Sequence, residues 1–229
     1  MIQHLLQLIW NQRKQNAWLW AELLLVSVFL WFLVDYLYVM GRTYTAPLGF
    51  DIRHTYSIVI SSLSERSPDY IPKEKRERPD GVHLLTALDR IRTYPGVESA
   101  CLTDGGMPYY MGSRNLVWRI DTLQVPPLCF RHPGVFDVFR IYDKDGKTAS
   151  LKRAIEDNNS IVISADVETM NPGLSLLGQK AYRGNVTDEI EETIRGISVP
   201  IRRHEYTKAE PNVYRALRLS RMEEGYYEG

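Results

Sequence analysis

The sequence has no surplus charge of either sign. Its 28 Lys and Arg residues balance 28 Asp and Glu residues, so no net field draws the chain to nucleic acid, and no nucleic-acid partner is expected. Cysteine is scarce. The 229 residues hold two, Cys101 and Cys129, too few for a disulfide-stapled scaffold. The two could pair if the region around them lies outside the cytoplasm, but Cys101 sits in the apolar run VESACL and reads more simply as a small buried side chain. The five histidines are dispersed. None stands in His-x-x-x-His or His-Glu-x-x-His spacing, and Cys-x-x-Cys is missing too, so no metal site is written locally. A Gly-x-Ser-x-Gly nucleophile elbow is also missing. The stretch DKDGKT, residues 143–148, resembles a phosphate loop or a calcium loop only in part. The first needs a glycine, and the second an acidic ligand, where Ile141 stands. A polar turn is what remains, and neither a catalytic residue, a cofactor nor a metal is expected.

What the chain does have is one long apolar run, WLWAELLLVSVFLWFLVDYLYVMGRTY, from Trp18 to Tyr44. A cleaved secretion signal would end at a small-residue site, whereas here bulky side chains continue through Tyr38. From Trp18 to Val39 a helix rising about 1.5 Å per residue reaches roughly 33 Å, against a hydrocarbon core of about 30 Å. The run is therefore read as one transmembrane helix over residues 17–44, with a buried core helix as the alternative. Glu22 and Asp35 lie near its ends, where headgroups and water are in reach. Trp18, Trp20, Phe29, Trp31, Phe32, Tyr36 and Tyr38 are its anchoring side chains. No other segment has the length to cross.

Residues 1–16, MIQHLLQLIWNQRKQN, place Ile2, Leu5, Leu6, Ile9 and Trp10 at helical spacing opposite Gln3, Gln7, Asn11 and Gln12. That pattern predicts an amphipathic helix in the membrane interface. Arg13 and Lys14 precede the span, and the small basic bias they create leans towards a cytoplasmic N-terminus.

About 190 residues remain after the span, enough for one globular unit or two small lobes. Tyr56, Ile58 and Ile60 alternate with Ser57, Val59 and Ser61, which predicts a strand directly after the membrane. Residues 64–80 are charged and proline-bearing and read as an exposed loop. Next comes a helix that Asp80 can cap, with a stripe of Leu84, Leu85, Leu88 and Ile91 and a stop at Pro95-Gly96. A strand at Val97 to Leu102 follows. LVWRIDTLQVPPLCF reads as a strand pair or an irregular β segment broken at Pro126-Pro127, and Pro133 to Phe139 as a short turn or helix. Ile161 to Ser164 reads as a strand whose last residue caps a short helix through Met170. At least one more strand lies in IRGISVPIRRHEYTKAEPNVYRAL, and residues 220–229 read as a loose tail. The fold class expected is α+β. Tyr109, Tyr110 and Met111, large side chains in the turn-rich TDGGMPYYMGSRN, are candidates for partner contact, although packing beneath the loop explains them equally well.

The order of these local signatures resembles the periplasmic core domain of MacB-like, FtsX-superfamily ABC transporter permeases. The matching pieces are LGFD with its following strand, ALDRIRTYPGVESACL, HPGVFDVFRI, NSIVISADVETMNPG, LGQK and the run towards PNVY, in that order over most of the chain. The resemblance implies an interfacial helix and a first span, then a two-lobed mixed αβ domain at residues 45–219, in which a porter-like lobe carries an inserted second lobe. It implies a non-enzymatic permease subunit, or the N-terminal part of one, in a bacterial inner membrane, with its main domain in the periplasm. The partners implied are the membrane, a cytoplasmic ABC ATPase, a second permease in a homodimer or heterodimer, and an outer periplasmic protein. A single-pass anchored sensor or adaptor is the alternative from another class, and an anchored enzyme a third.

Overall fold

A computed structural model describes residues 2–11, 14, 17–61, 63–72, 75–103, 108–109, 117–121, 123–125, 128–130, 134–157, 159–170, 172–183 and 190–215. The chain divides into two compact units, Met1–Ala46 and Pro47–Gly229.

The first unit is helical. Helix α1 spans Ile2–Asn11 and α2 spans Ala17–Thr45, 29 residues without proline and without glycine before Gly41. Leucine, alanine and the aromatic residues of α2 sustain a helix of that length, and the few hydroxyls bond inside it: Ser27 Oγ donates to the Leu23 carbonyl at 2.7 Å. None of its residues is buried. A helix of this length and composition is able to cross a membrane.

The second unit is built on one sheet. Helix α3 (Asp80–Arg92) precedes strands β1 (Trp118–Ile120), β2 (Leu123–Val125) and β3 (Leu128–Phe130). Then come α4 (Val135–Val138), α5 (Ala149–Ala154), β4 (Ser160–Ser164), α6 (Ala165–Thr169), β5 (Lys180–Arg183), β6 (Ile190–Ser198) and β7 (Asn212–Arg215). The seven strands order as β2-β1-β5-β6-β4-β7-β3. β4 lies near the middle, parallel to β6 and antiparallel to β7.

All five residues of β4 are buried, and their alternation explains why the unit has two cores. Val162 joins Phe136, Ile141, Leu151, Ile155 and Tyr214 in one cluster; Ile161 and Ile163 join Trp118, Ile120, Leu176, Ile194 and Val213 in the other. Successive strand residues face opposite ways, so the clusters cover the two faces of one sheet. Gly196 of β6 lets α5 come close: a Cβ there would lie 3.0 Å from Val162 Cγ2 and 3.2 Å from the Ala154 Cβ.

Several expectations need correction. Residues 55–61 and 97–103 belong to no helix or strand, so neither the Tyr56–Ser61 strand nor the Val97–Leu102 strand forms among the described residues. Ile58, Val59 and Ile60 are exposed instead. Asp80 does not cap α3. Pro79 is the N-cap, and the Asp80 carboxylate takes two contacts of 2.7 Å from Arg76. Ser164 is the N-cap of α6 but its side chain makes no cap bond; Oγ accepts the Asn212 backbone N–H at 2.8 Å. The second unit is a mixed set of helices and strands, and in the chain it follows an apolar N-terminal helix. Residues 220–229 lie outside the described residues.

Candidate functional site: the segment entering the folded unit

Helix α2 ends at Thr45, and the second unit begins at Pro47. The first residues of that unit are held by backbone bonds. Leu48 O accepts the Arg202 N–H at 3.0 Å, and Asp51 N–H donates to the Phe139 carbonyl at 2.9 Å. Between them Gly49 adopts φ +81°, the left-handed region that glycine tolerates, and a Cβ there would sit 2.0 Å from the Pro200 carbonyl oxygen. No residue with a side chain fits that position. Phe50 packs against the cluster around Phe136. Thr55 Oγ1 adds a longer bond to the Val138 carbonyl at 3.4 Å.

Charge reinforces these bonds. Arg53 grips the Asp51 carboxylate at 2.7 Å and Arg140 approaches it at 3.3 Å. The side-chain bond from Arg53, with its backbone N–H, holds the Asp51 carboxyl well below the usual carboxylate range. Arg140 also donates to the Arg53 carbonyl at 3.2 Å. Arg140 itself has φ 50°, a conformation few non-glycine residues adopt, and Ile141 N–H then closes onto Phe136 O at 2.9 Å.

The loop that receives Leu48 also receives Tyr109. Tyr109 N–H donates to Arg203 O at 3.0 Å, its hydroxyl donates to Glu205, and its ring meets Phe50 edge-on with centroids 5.8 Å apart. The tyrosine bond lowers the Glu205 pKa. Buried Arg202 braces the same loop, its Nε donating to the Thr207 carbonyl at 2.7 Å and its Nη2 to that of Glu205. Tyr109 keeps 42% of its surface, while Tyr110 and Met111 lie outside the described residues. In the helical unit, Trp18, Trp20, Phe29, Trp31, Phe32, Tyr36 and Tyr38 are all more than half exposed. Lys14 is exposed in a turn, and Arg13 lies outside the described residues.

A second constellation was not legible in the sequence. Glu192 is 1% exposed and accepts the Trp118 indole N–H at 2.7 Å. Arg215 approaches its carboxylate at 3.3 Å and Arg183 at 3.7 Å. The four residues come from β6, β1, β7 and β5, so this network fixes strands that lie far apart in the chain. Cys101 carries a free thiol, and burial pushes its pKa up to about 11. That side chain is partly buried and packs against the cluster around Phe136.

No family model matches the chain, and no curated protein does. Among solved structures the chain is similar to a crystal structure of a domain assigned to a permease protein from Porphyromonas gingivalis. Identity is 17%, the TM-score is 0.35, and the match covers 44% of this chain and 40% of that one. The chain thus spans less than half of that neighbour's length.

Among the described residues no group of three His, Cys, Asp or Glu side chains is assembled as a metal site. What is assembled here is an apolar helix that ends at Thr45 and, from Leu48 to Asp51, a segment whose backbone is bonded into the second unit.

Proposed function

We propose that this chain is a permease-type component of an ABC transporter, working without catalysis of its own. Helix α2 spans a bacterial inner membrane, with the N-terminus cytoplasmic, α1 in the interface and the unit from Pro47 in the periplasm. An ATPase bound in the cytoplasm moves the membrane helices, and the entry segment passes that motion to the outer domain. The outer domain, with two lobes and a homodimeric or heterodimeric permease partner, then acts on a substrate or an outer periplasmic protein near Tyr109.

The observation that supports this best is the connection itself. A helix of 29 residues with no buried side chain ends at Thr45, and by Leu48 and Asp51 the backbone is bonded into the unit that follows. Motion carried through a covalent link needs such a link to be short and fixed at both ends. The ordered agreement of local signatures with MacB-like permeases supports the choice of transporter class.

The test is copurification from native membranes with an antibody against residues 66–80. Recovery with a nucleotide-binding ATPase supports the proposal, and a flexible Gly-Ser insertion after Thr45 then reduces transport or signalling by tenfold or more, on the order of 1.4 kcal/mol of lost coupling. A protein recovered without an ATPase, at this chain's own mass, supports the anchored sensor or adaptor instead. Full activity with the insertion refutes transmission through the entry segment.

A further inference from the structure

The sequence places Glu22 and Asp35 near the ends of a span from Trp18 to Val39. The helix runs on to Thr45, 29 residues in all, and this changes the depth of one of them. A hydrocarbon core of about 30 Å takes roughly 20 residues of α-helix, and every stretch of that length within Ala17–Thr45 contains Asp35. Glu22 and Arg42 can both lie at the headgroups. The stretch between them, residues 23–41, is about 28 Å long, and Asp35 is its one charged residue. Asp35 stands roughly 9 Å along the axis from the nearer end at Gly41, too deep for its short side chain to reach the interface as a lysine or arginine would.

Among the described residues Asp35 makes no hydrogen bond or ion pair, and its side chain is exposed like the rest of α2. Trp31 and Tyr38, one turn before and one turn after, share its face and are 70% and 65% exposed. The hydroxyl of Ser27, two turns before, is already given to the Leu23 carbonyl at 2.7 Å. Arg42 lies on the same face two turns after, about 10 Å along the axis, and makes no pair with Asp35. A carboxylate facing acyl chains without a counter-charge is strongly unfavourable, and charged residues at such depth are found turned to protein or to water.

Charge decides what covers this face. A second copy inserted the same way runs parallel, and a two-fold contact here sets Asp35 against Asp35, like beside like, with each Arg42 two turns away. A helix with a lysine or arginine at the same depth supplies the missing sign and the donors the carboxylate lacks. We propose that α2 pairs, through the face of Trp31, Asp35 and Tyr38, with a transmembrane helix of a different subunit that carries a lysine or arginine level with Asp35. The ion pair sets the register of the two helices, and the aromatic rings on either side shield it from lipid. This inference rests on α2 crossing the membrane, and it narrows the permease partner of that reading to an unlike one.

The experiment uses the full chain, labelled with a donor fluorophore at its N-terminus and reconstituted in phosphatidylcholine vesicles. The probes are two synthetic transmembrane peptides of leucine and alanine, alike except for one lysine or one leucine at the depth of Asp35, each carrying an acceptor. The chain stays with the vesicles through an alkaline carbonate wash, and energy transfer reports association with the lysine peptide about tenfold tighter than with the leucine peptide. Asp35→Asn, nearly isosteric, abolishes that difference, and Asp35→Lys prefers a third peptide with aspartate at the same place. Release of the chain by carbonate overturns the transmembrane reading and this inference with it. Retention with equal transfer to the first two peptides overturns the inference alone, as does a lysine preference that survives in Asp35→Asn. Transfer between two differently labelled copies of the chain that is lost in Asp35→Asn also overturns it, because a second copy then occupies the face.

Discussion

The pentapeptide Ser-Ile-Val-Ile-Ser occurs twice in this chain, at residues 57–61 and at residues 160–164, and the two copies have opposite fates. In the second, Ile161, Val162 and Ile163 are each 0% exposed, in an interior strand of a seven-stranded sheet. In the first, Ile58, Val59 and Ile60 are 64%, 88% and 51% exposed, and the segment pairs with no strand among the described residues. Local propensity is identical by construction, so it cannot be what separates them. The second copy has β6 on one side and β7 on the other, and apolar side chains from α4 and α5 over one face. The first has a shallow groove of Ile58, Arg90, Ile91, Tyr94 and Val97. Strand formation here is decided by neighbours brought from a distance.

The harshest test of that difference places a charge at the same position in each copy. Ile163→Asp puts an unpaired carboxylate in the core, and the cooperative thermal transition of the full chain, followed by Trp fluorescence, should vanish. Next in size is the network that holds the neighbouring strand. Glu192→Ala leaves Arg183 and Arg215 without their shared carboxylate and should cost about 3–5 kcal/mol in denaturant unfolding. Gly49→Ala, which forces a Cβ onto the Pro200 carbonyl, should destabilise by roughly 2 kcal/mol or more. Ile60→Asp, the matching change in the exposed copy, should alter stability by no more than about 0.5 kcal/mol. A loss of several kcal/mol there would break the comparison and show that the first copy is covered in solution. The smallest effect concerns acid. The Asp51 carboxyl is depressed by Arg53, so its stabilisation is complete above the ordinary carboxyl pKa and fades as pH falls. Between about pH 5 and pH 2 the wild-type Tm should fall more steeply than that of Asp51→Asn.

The same pentapeptide shows which parts of the fold the sequence made legible. Alternation and apolar text announced strands at both places, and only one of them pairs. The long apolar helix was readable because length and composition decide it alone. The strand pair around Trp118, the short helix after Gly134 and the turn at Asp143 were readable because proline, glycine and aspartate act locally: Asp143 Oδ1 accepts the Asp145 and Lys147 N–H groups at 2.9 and 2.8 Å. Asp80 and Ser164 looked like caps, yet each took a partner off its own helix, Arg76 in one case and Asn212 in the other. In the candidate site, Tyr109 was visible as a large side chain among turns, but its attachment to Glu205 spans 96 positions. Trp118 and Glu192 are 74 apart, and no spacing rule reaches that far. Gly49 offered a signal in LGFD, a glycine between apolar residues, although nothing local says that Pro200 will close over it.

The strand order has a consequence during synthesis. β4 ends at Ser164, yet its two neighbours are β6, from Ile190, and β7, ending at Arg215. At about 5–20 residues per second the ribosome needs roughly 3–10 s to pass from one to the other. Until β6 is complete at Ser198 both edges of this buried strand are open, and the edge that β7 takes stays open to Arg215, while the first Ser-Ile-Val-Ile-Ser has already emerged. The nascent chain thus carries two copies of the same adhesive text with neither one yet covered, and its yield will depend on how well translation speed and holding factors keep them apart.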